Sequence, residues 1–151
     1  MLDRLERAVL AVGVAALALL TFAVAAQVAL RYLFAVTPIW SEELSRYLLV
    51  WAVLAGAAAS VRGNRHIRVE FLADLLPPAL RRGWYLLLDV LALAVFVLVA
   101  VLGVEAVKFN HEMRSTGLQA PLSYVMTSVP LFFAAAAVFL AGEIWQRRGR
   151  R

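Results

Sequence analysis

Charged positions in this chain fall in short clusters separated by long apolar runs. Residues 8–30 contain no charge. These 23 positions at ~1.5 Å rise per residue make a helix of roughly 30 to 35 Å, enough to cross a bilayer. A second run opens at Thr37, which reads as a helix cap, with Pro38 at the first helical position, where a missing N–H costs nothing. It runs to about Val61, with charges only in its first turns. Residues 84–108 and 121–144 form two further runs, the last with Pro130 inside it as an expected kink. Between the second and third runs, residues 67–76 place Glu70 and Asp74 on one narrow edge and Ile67, Phe71, Leu72, Leu75 and Leu76 over the rest. That is the pattern of a short helix lying in a membrane interface, ended by Pro77-Pro78.

The expected architecture is an all-α integral membrane protein. One membrane domain covers residues 1–151, with four transmembrane helices near 8–30, 38–61, 84–108 and 121–144 and an interfacial amphipathic helix over 67–76. Composition agrees: 64% of the residues are hydrophobic and mean hydropathy is +0.82, well above a soluble domain, where about half the residues are apolar. Ala23-Val24-Ala25 resembles the cleavage site of a secretory leader. Against that, the apolar run is long, and Asp3 and Glu6 offset Arg4 and Arg7, so a retained span is expected.

The charge balance of +5 is first a topology signal. Eleven of the fifteen basic residues fall in the N-terminal segment, the connection around residues 62–82 and the C-terminal tail; only Arg31, Arg46, Lys108 and Arg114 fall on the other side. Both termini are therefore expected in the cytoplasm. The absence of cysteine excludes disulfides, thiolate metal sites, iron–sulfur clusters and a cysteine nucleophile.

A self-sufficient carrier would be expected to bring ionisable residues or broken helices to the bilayer midplane. Here the middles of the first, third and fourth runs, near Leu19, Phe96 and Phe132, are apolar. The two histidines, His66 and His111, lie in connections on opposite sides and do not form a haem site. No catalytic, cofactor-binding or metal-binding residue is expected.

What remains is a set of candidate contact residues. Trp40, Glu42, Glu43 and Arg46 crowd the start of the second helix, with Glu42 and Arg46 spaced as an i,i+4 ion pair, which leaves one acid for Arg31 or a partner. Ala52-x-x-x-Gly56-x-x-x-Ser60 is a ladder of small residues on one helical face, of the kind that lets helices approach closely in lipid.

The segments WSEELSRYLLVWAVLAGAA (residues 40–58) and RGNRHIRVEFLADLLP (residues 62–77), with Leu118, Pro121 and Pro130 later on, resemble the DctQ, or Q, small membrane subunit of TRAP transporters, the tripartite ATP-independent periplasmic carriers. The match includes an aromatic-x-Glu-Glu-Leu-x-Arg-Tyr run and His66, Ile67, Val69 and Glu70 of a His-Ile-x-Val-acid motif; Ser115 to Gln119 fits only approximately. The resemblance implies a non-catalytic, multi-pass inner-membrane subunit. It would brace a large M-type membrane subunit of elevator type, which takes up an organic acid delivered by a periplasmic substrate-binding protein and is driven by an ion gradient, usually sodium. Besides membrane lipids, these two proteins are the implied partners, with no nucleic acid. It implies that Trp40, Glu42, Glu43 and Arg46 lie at the outer side, Gly56 and Ser60 on a packing face, and His66, Arg68 and Glu70 at the cytoplasmic elbow with Arg62. The alternative reading is the membrane anchor of a redox or other enzyme complex.

Overall fold

In a computed structural model of the chain, residues 2–36, 38–62 and 77–149 are described. They form five helices: α1 (Leu2–Phe34), α2 (Ile39–Ser60), α3 (Pro78–Phe109), the single turn α4 (Ser123–Met126) and α5 (Ser128–Gly149). The expected interfacial helix over 67–76, together with His66, Arg68 and Glu70, lies outside the described residues. α1, α3 and the stretch Ser123–Trp145 are each long and apolar enough to cross a membrane. α2 has the length, 22 residues, but its charged first turns set it apart from these three.

Helix boundaries follow from local chemistry. α2 begins one residue later than expected: Pro38 is extended (φ −71°, ψ 121°) and caps the helix from outside. Its carbonyl accepts bonds from Ser41 N (3.2 Å) and Ser41 Oγ (2.7 Å). Pro78, instead of only ending a preceding segment, starts α3 at the first helical position, where no N–H is required. α3 ends at Asn110, whose backbone N–H (3.1 Å) and side-chain amide (2.9 Å) both donate to the Ala106 carbonyl. The last hydrophobic run, Ser123–Trp145, is one span-capable stretch whose hydrogen-bond ladder is interrupted at Thr127, where the backbone stays helical (φ −61°, ψ −24°). Pro130 has no N–H to return to Met126 and sits in the first turn of α5, just past that interruption.

Packing runs in a row, α1 on α2, α2 on α5 and α5 on α3. The core lies where α2 meets α5. Ala55, Ala58 and Ala59 face Phe132, Ala136, Phe139 and Leu140, and Trp51 meets Phe132 edge-on at 5.5 Å. Small residues set the close approaches. A Cβ on Gly103 would come within 2.9 Å of the Pro130 ring, and one on Gly13 within 3.1 Å of Ala55 Cβ. In lipid such contacts, more than removal of apolar surface from water, hold helices together. The outward faces of α1 and α3 are left apolar and open, with Leu17, Phe22, Leu91 and Leu98 each more than half exposed.

The row has two polar ends. One gathers the α1–α2 turn, the first turns of α2 and residues 110–122; it is called here the Glu43 end. The other gathers the start of α1, the end of α2 and the C-terminal half of α5, where Leu2 reaches Gly142; it is the Arg62 end.

Candidate partner interface and the Glu43 clasp

The candidate cluster on α2 divides between two faces. At about 100° per residue, Glu42, Arg46, Leu49, Val53 and Gly56 share one side of the helix, and all five are exposed. Glu43 turns the other way. Its Oε2 accepts hydrogen bonds from the backbone N–H of Gly117 (2.9 Å) and Leu118 (2.8 Å), and its Oε1 accepts one from the Tyr47 hydroxyl (2.9 Å). One carboxylate thus ties α2 to the connection between α3 and α4. Charge-assisted bonds to fixed backbone donors are short and orientation-specific, so the loop is held in one position.

The loop is shaped to receive that carboxylate. Arg114 and Pro121 form an antiparallel bridge, closed by Ser115 N to Ala120 O (2.9 Å) and Leu122 N to Met113 O (2.8 Å). Within it Gln119 adopts positive φ (54°), and its carbonyl accepts from Arg114 Nη1 at 3.2 Å. Gly117 is sterically required. A Cβ there would lie 2.9 Å from Glu43 Oε2 and 3.1 Å from the Ile39 carbonyl oxygen. Ser115 is buried there, with its hydroxyl beside the Glu43 carboxylate and the Tyr47 hydroxyl.

Two expectations change here. Glu42 and Arg46 form no ion pair; both remain exposed, and neither acid reaches Arg31. Glu43, expected to be available to Arg31 or a partner, is already satisfied inside the chain. Gly117, Leu118 and Tyr47 were not among the candidate residues. The glycine in the polar run Ser115 to Gln119 was the one available signal.

The small-residue ladder is also re-registered. Within the chain, close packing uses Ala55, Ala58 and Ala59, whereas Gly56 has no atom within 4 Å of where its Cβ would be. Ser60 is half-buried and its hydroxyl donates to the Ala57 carbonyl (2.8 Å). Trp40 is 48% exposed and walls a groove between α1 and α2.

At the opposite end, Arg62 inserts between two carboxylates of α1, pairing with Asp3 and, at 2.9 Å, with Glu6. His111 is exposed, with its Nδ1 3.5 Å from Ser123 Oγ. Among the described residues no three His, Asp or Glu side chains converge on a point where a metal ion could sit. The arrangement positions helices and loops and presents a face.

Comparison with known proteins agrees in kind. Residues 20–150 match the family of tripartite ATP-independent periplasmic transporters, DctQ component. The sialic acid TRAP transporter small permease protein SiaQ of Vibrio cholerae is 30% identical over 117 residues, 78% of this chain and 65% of that protein. The C4-dicarboxylate TRAP transporter small permease protein DctQ of the same organism is 33% identical over 99 residues, 66% of this chain and 41% of the relative. The isethionate TRAP transporter permease protein DctMQ of Oleidesulfovibrio alaskensis is 26% identical over 112 residues, 73% of this chain but 18% of that much longer protein. The chain spans less than two thirds of the length of each of these curated relatives. The match over residues 20–150 places the chain in the DctQ family of TRAP transporter components, as a multi-pass inner-membrane transport protein and not an enzyme.

Proposed function

We propose that the chain is the small membrane subunit that braces a large M-type permease subunit during uptake of an organic acid. In this reading α2 is the fourth spanning helix, both termini are cytoplasmic, and the Glu43 end faces the periplasm, where a substrate-binding protein delivers its ligand. The large subunit carries the elevator movement and the coupling ion, most simply sodium, since this chain places its charges near helix ends.

One observation carries the proposal: the α2 face with Glu42, Arg46, Leu49, Val53 and Gly56 is exposed along its whole length while the other side of the helix is used inside the chain. An acid and a base left open in the first two turns of a spanning helix, with an apolar stripe continuing from them, offer a partner both polar and apolar contacts on one face. A glycine with open space above it suits close helix approach. The DctMQ relative supports the same reading, because there the related segment is 18% of one continuous permease polypeptide.

Co-purification with the large subunit tests it. A Cβ at Gly56 meets nothing inside the chain, so Gly56→Leu should leave the isolated chain folded while reducing recovery of the large subunit several-fold. Glu42→Ala should act in the same direction and Glu112→Ala should not. Wild-type recovery in both Gly56→Leu and Glu42→Ala would move the interface elsewhere. The chain alone in liposomes should move no organic acid; flux without a second subunit would make it a carrier in its own right.

A further inference from the structure

Along the seam between α1 and α2 toward the Glu43 end, the helices leave a groove of about 330 Å³, floored by Ala23 and Ala26 of α1 and walled by Leu44 and Trp40 of α2. On α1 it runs from Leu19 to Leu30. At ~1.5 Å per residue this is about 16 Å, close to half of a ~30 Å hydrocarbon core and so to the depth of one leaflet. Its lining is almost wholly apolar until Gln27, and Arg31 stands one turn further along the same face of α1. Arg31 is exposed and, among the described residues, makes no ion pair. Trp40 at the same mouth carries an indole N–H, a donor with no acceptor role.

We propose that this groove binds one acyl chain of an anionic glycerophospholipid, with its phosphate held at the mouth by Arg31 and the Trp40 indole N–H. Shape favours this occupant: the groove is a slot between two helices, lined by apolar side chains and about as long as one leaflet is deep. A single hydrocarbon chain is narrow enough to lie along its length. Charge selects the headgroup: the mouth offers the Arg31 cation, which makes no ion pair among the described residues, and a hydrogen-bond donor, a combination that suits a phosphodiester carrying net negative charge. The nearby Glu43 carboxylate is already taken up by Gly117, Leu118 and Tyr47. The site is distinct from the exposed α2 face proposed for the large subunit and requires only that α1 lie in the membrane.

The test uses the full chain, purified in detergent and offered equal amounts of phosphatidylglycerol and phosphatidylcholine, with retained lipid counted by native mass spectrometry. One phosphatidylglycerol should be retained in several-fold excess over phosphatidylcholine. Arg31→Gln should abolish that preference while some lipid of either kind still binds, and Ala26→Phe should reduce both. Glycerol 3-phosphate, which has the phosphate but no chains, should not bind at the same concentration. Equal retention of the two lipids by the wild type, or unchanged retention in Ala26→Phe, would overturn the proposal. Because Ala26→Phe also risks disturbing the helix pair, a benzoylphenylalanine at position 40 gives a second readout in membranes. A photo-adduct enriched in phosphatidylglycerol beyond its mole fraction supports the site; an adduct to polypeptide, or lipid adducts in bulk proportion, contradicts it.

Discussion

The two ends of the molecule solve one problem, joining helices that are distant in sequence, by different physics. At the Glu43 end a single carboxylate accepts bonds from two backbone N–H groups and a tyrosine hydroxyl. At the Arg62 end a guanidinium meets two carboxylates, one of them, Asp3, with a side chain 73% exposed. Backbone donors are fixed in direction, so the first joint depends on atomic placement and on a glycine. Side-chain charges adjust and are screened by salt, so the second depends on charge and tolerates movement. The difference teaches that the Glu43 end is built as a rigid surface and the Arg62 end as a compliant tie.

The strongest challenge to that contrast is Gly117→Val. The new side chain would displace Glu43 or the Ile39 backbone. Overpacking of this kind costs about 1 to 3 kcal/mol, measured as the loss in resistance to unfolding by SDS in mixed micelles. A wild-type unfolding midpoint would mean that the loop is not held against α2 as described. Next comes Glu43→Ala, which strands the Gly117 and Leu118 N–H groups. Opening of the loop should then expose the bond after Arg114 to trypsin, raising the cleavage rate on the order of tenfold. Glu43→Gln keeps one acceptor and should fall between. If Gln behaves as Ala does, the charge and not the geometry dominates this end too, and the comparison fails.

Much of the fold was legible because membrane crossing imposes a crude rule, length without charge. Residues 8–30 and 84–108 were recognised as helices on that rule, and α1 and α3 extend beyond them because polar segments such as Asp3 to Arg7 continue the helix past the apolar stretch. The interruption at Thr127 was less legible, since a proline in an apolar run is compatible with either a kink or a new start. The candidate site was half legible. Spacing identified Glu42, Glu43 and Arg46 as a cluster, but period alone does not say which side of α2 the rest of the chain will occupy. That depends on where residues 110–122 land, about 75 positions away in sequence. Likewise the small-residue ladder was visible, yet the register used within the chain is Ala55, Ala58 and Ala59, and alanines and glycine are too alike in sequence to distinguish inner from outer face.

At the compliant end, effects should be smaller and should depend on salt. Arg62→Gln removes both ion pairs at once, and the Arg62 side chain is only 18% exposed, so about 1 kcal/mol of stability should be lost. Glu6→Gln should account for most of it, because Glu6 at 23% side-chain exposure is the better shielded partner. Asp3→Asn should be the mildest change of all. Its carboxylate stands in the ionic atmosphere, where a Debye length of ~10 Å at 0.1 M salt already weakens the attraction. Measured in low salt, the two acid variants should order as Glu6 above Asp3; in high salt the Asp3→Asn difference should vanish while part of the Glu6→Gln difference survives. The same salt series on Glu43→Ala should be nearly flat, because its acceptor role is filled by contact and not by field. A steep salt dependence at Glu43, or none at Arg62, would show that both ends work by the same means.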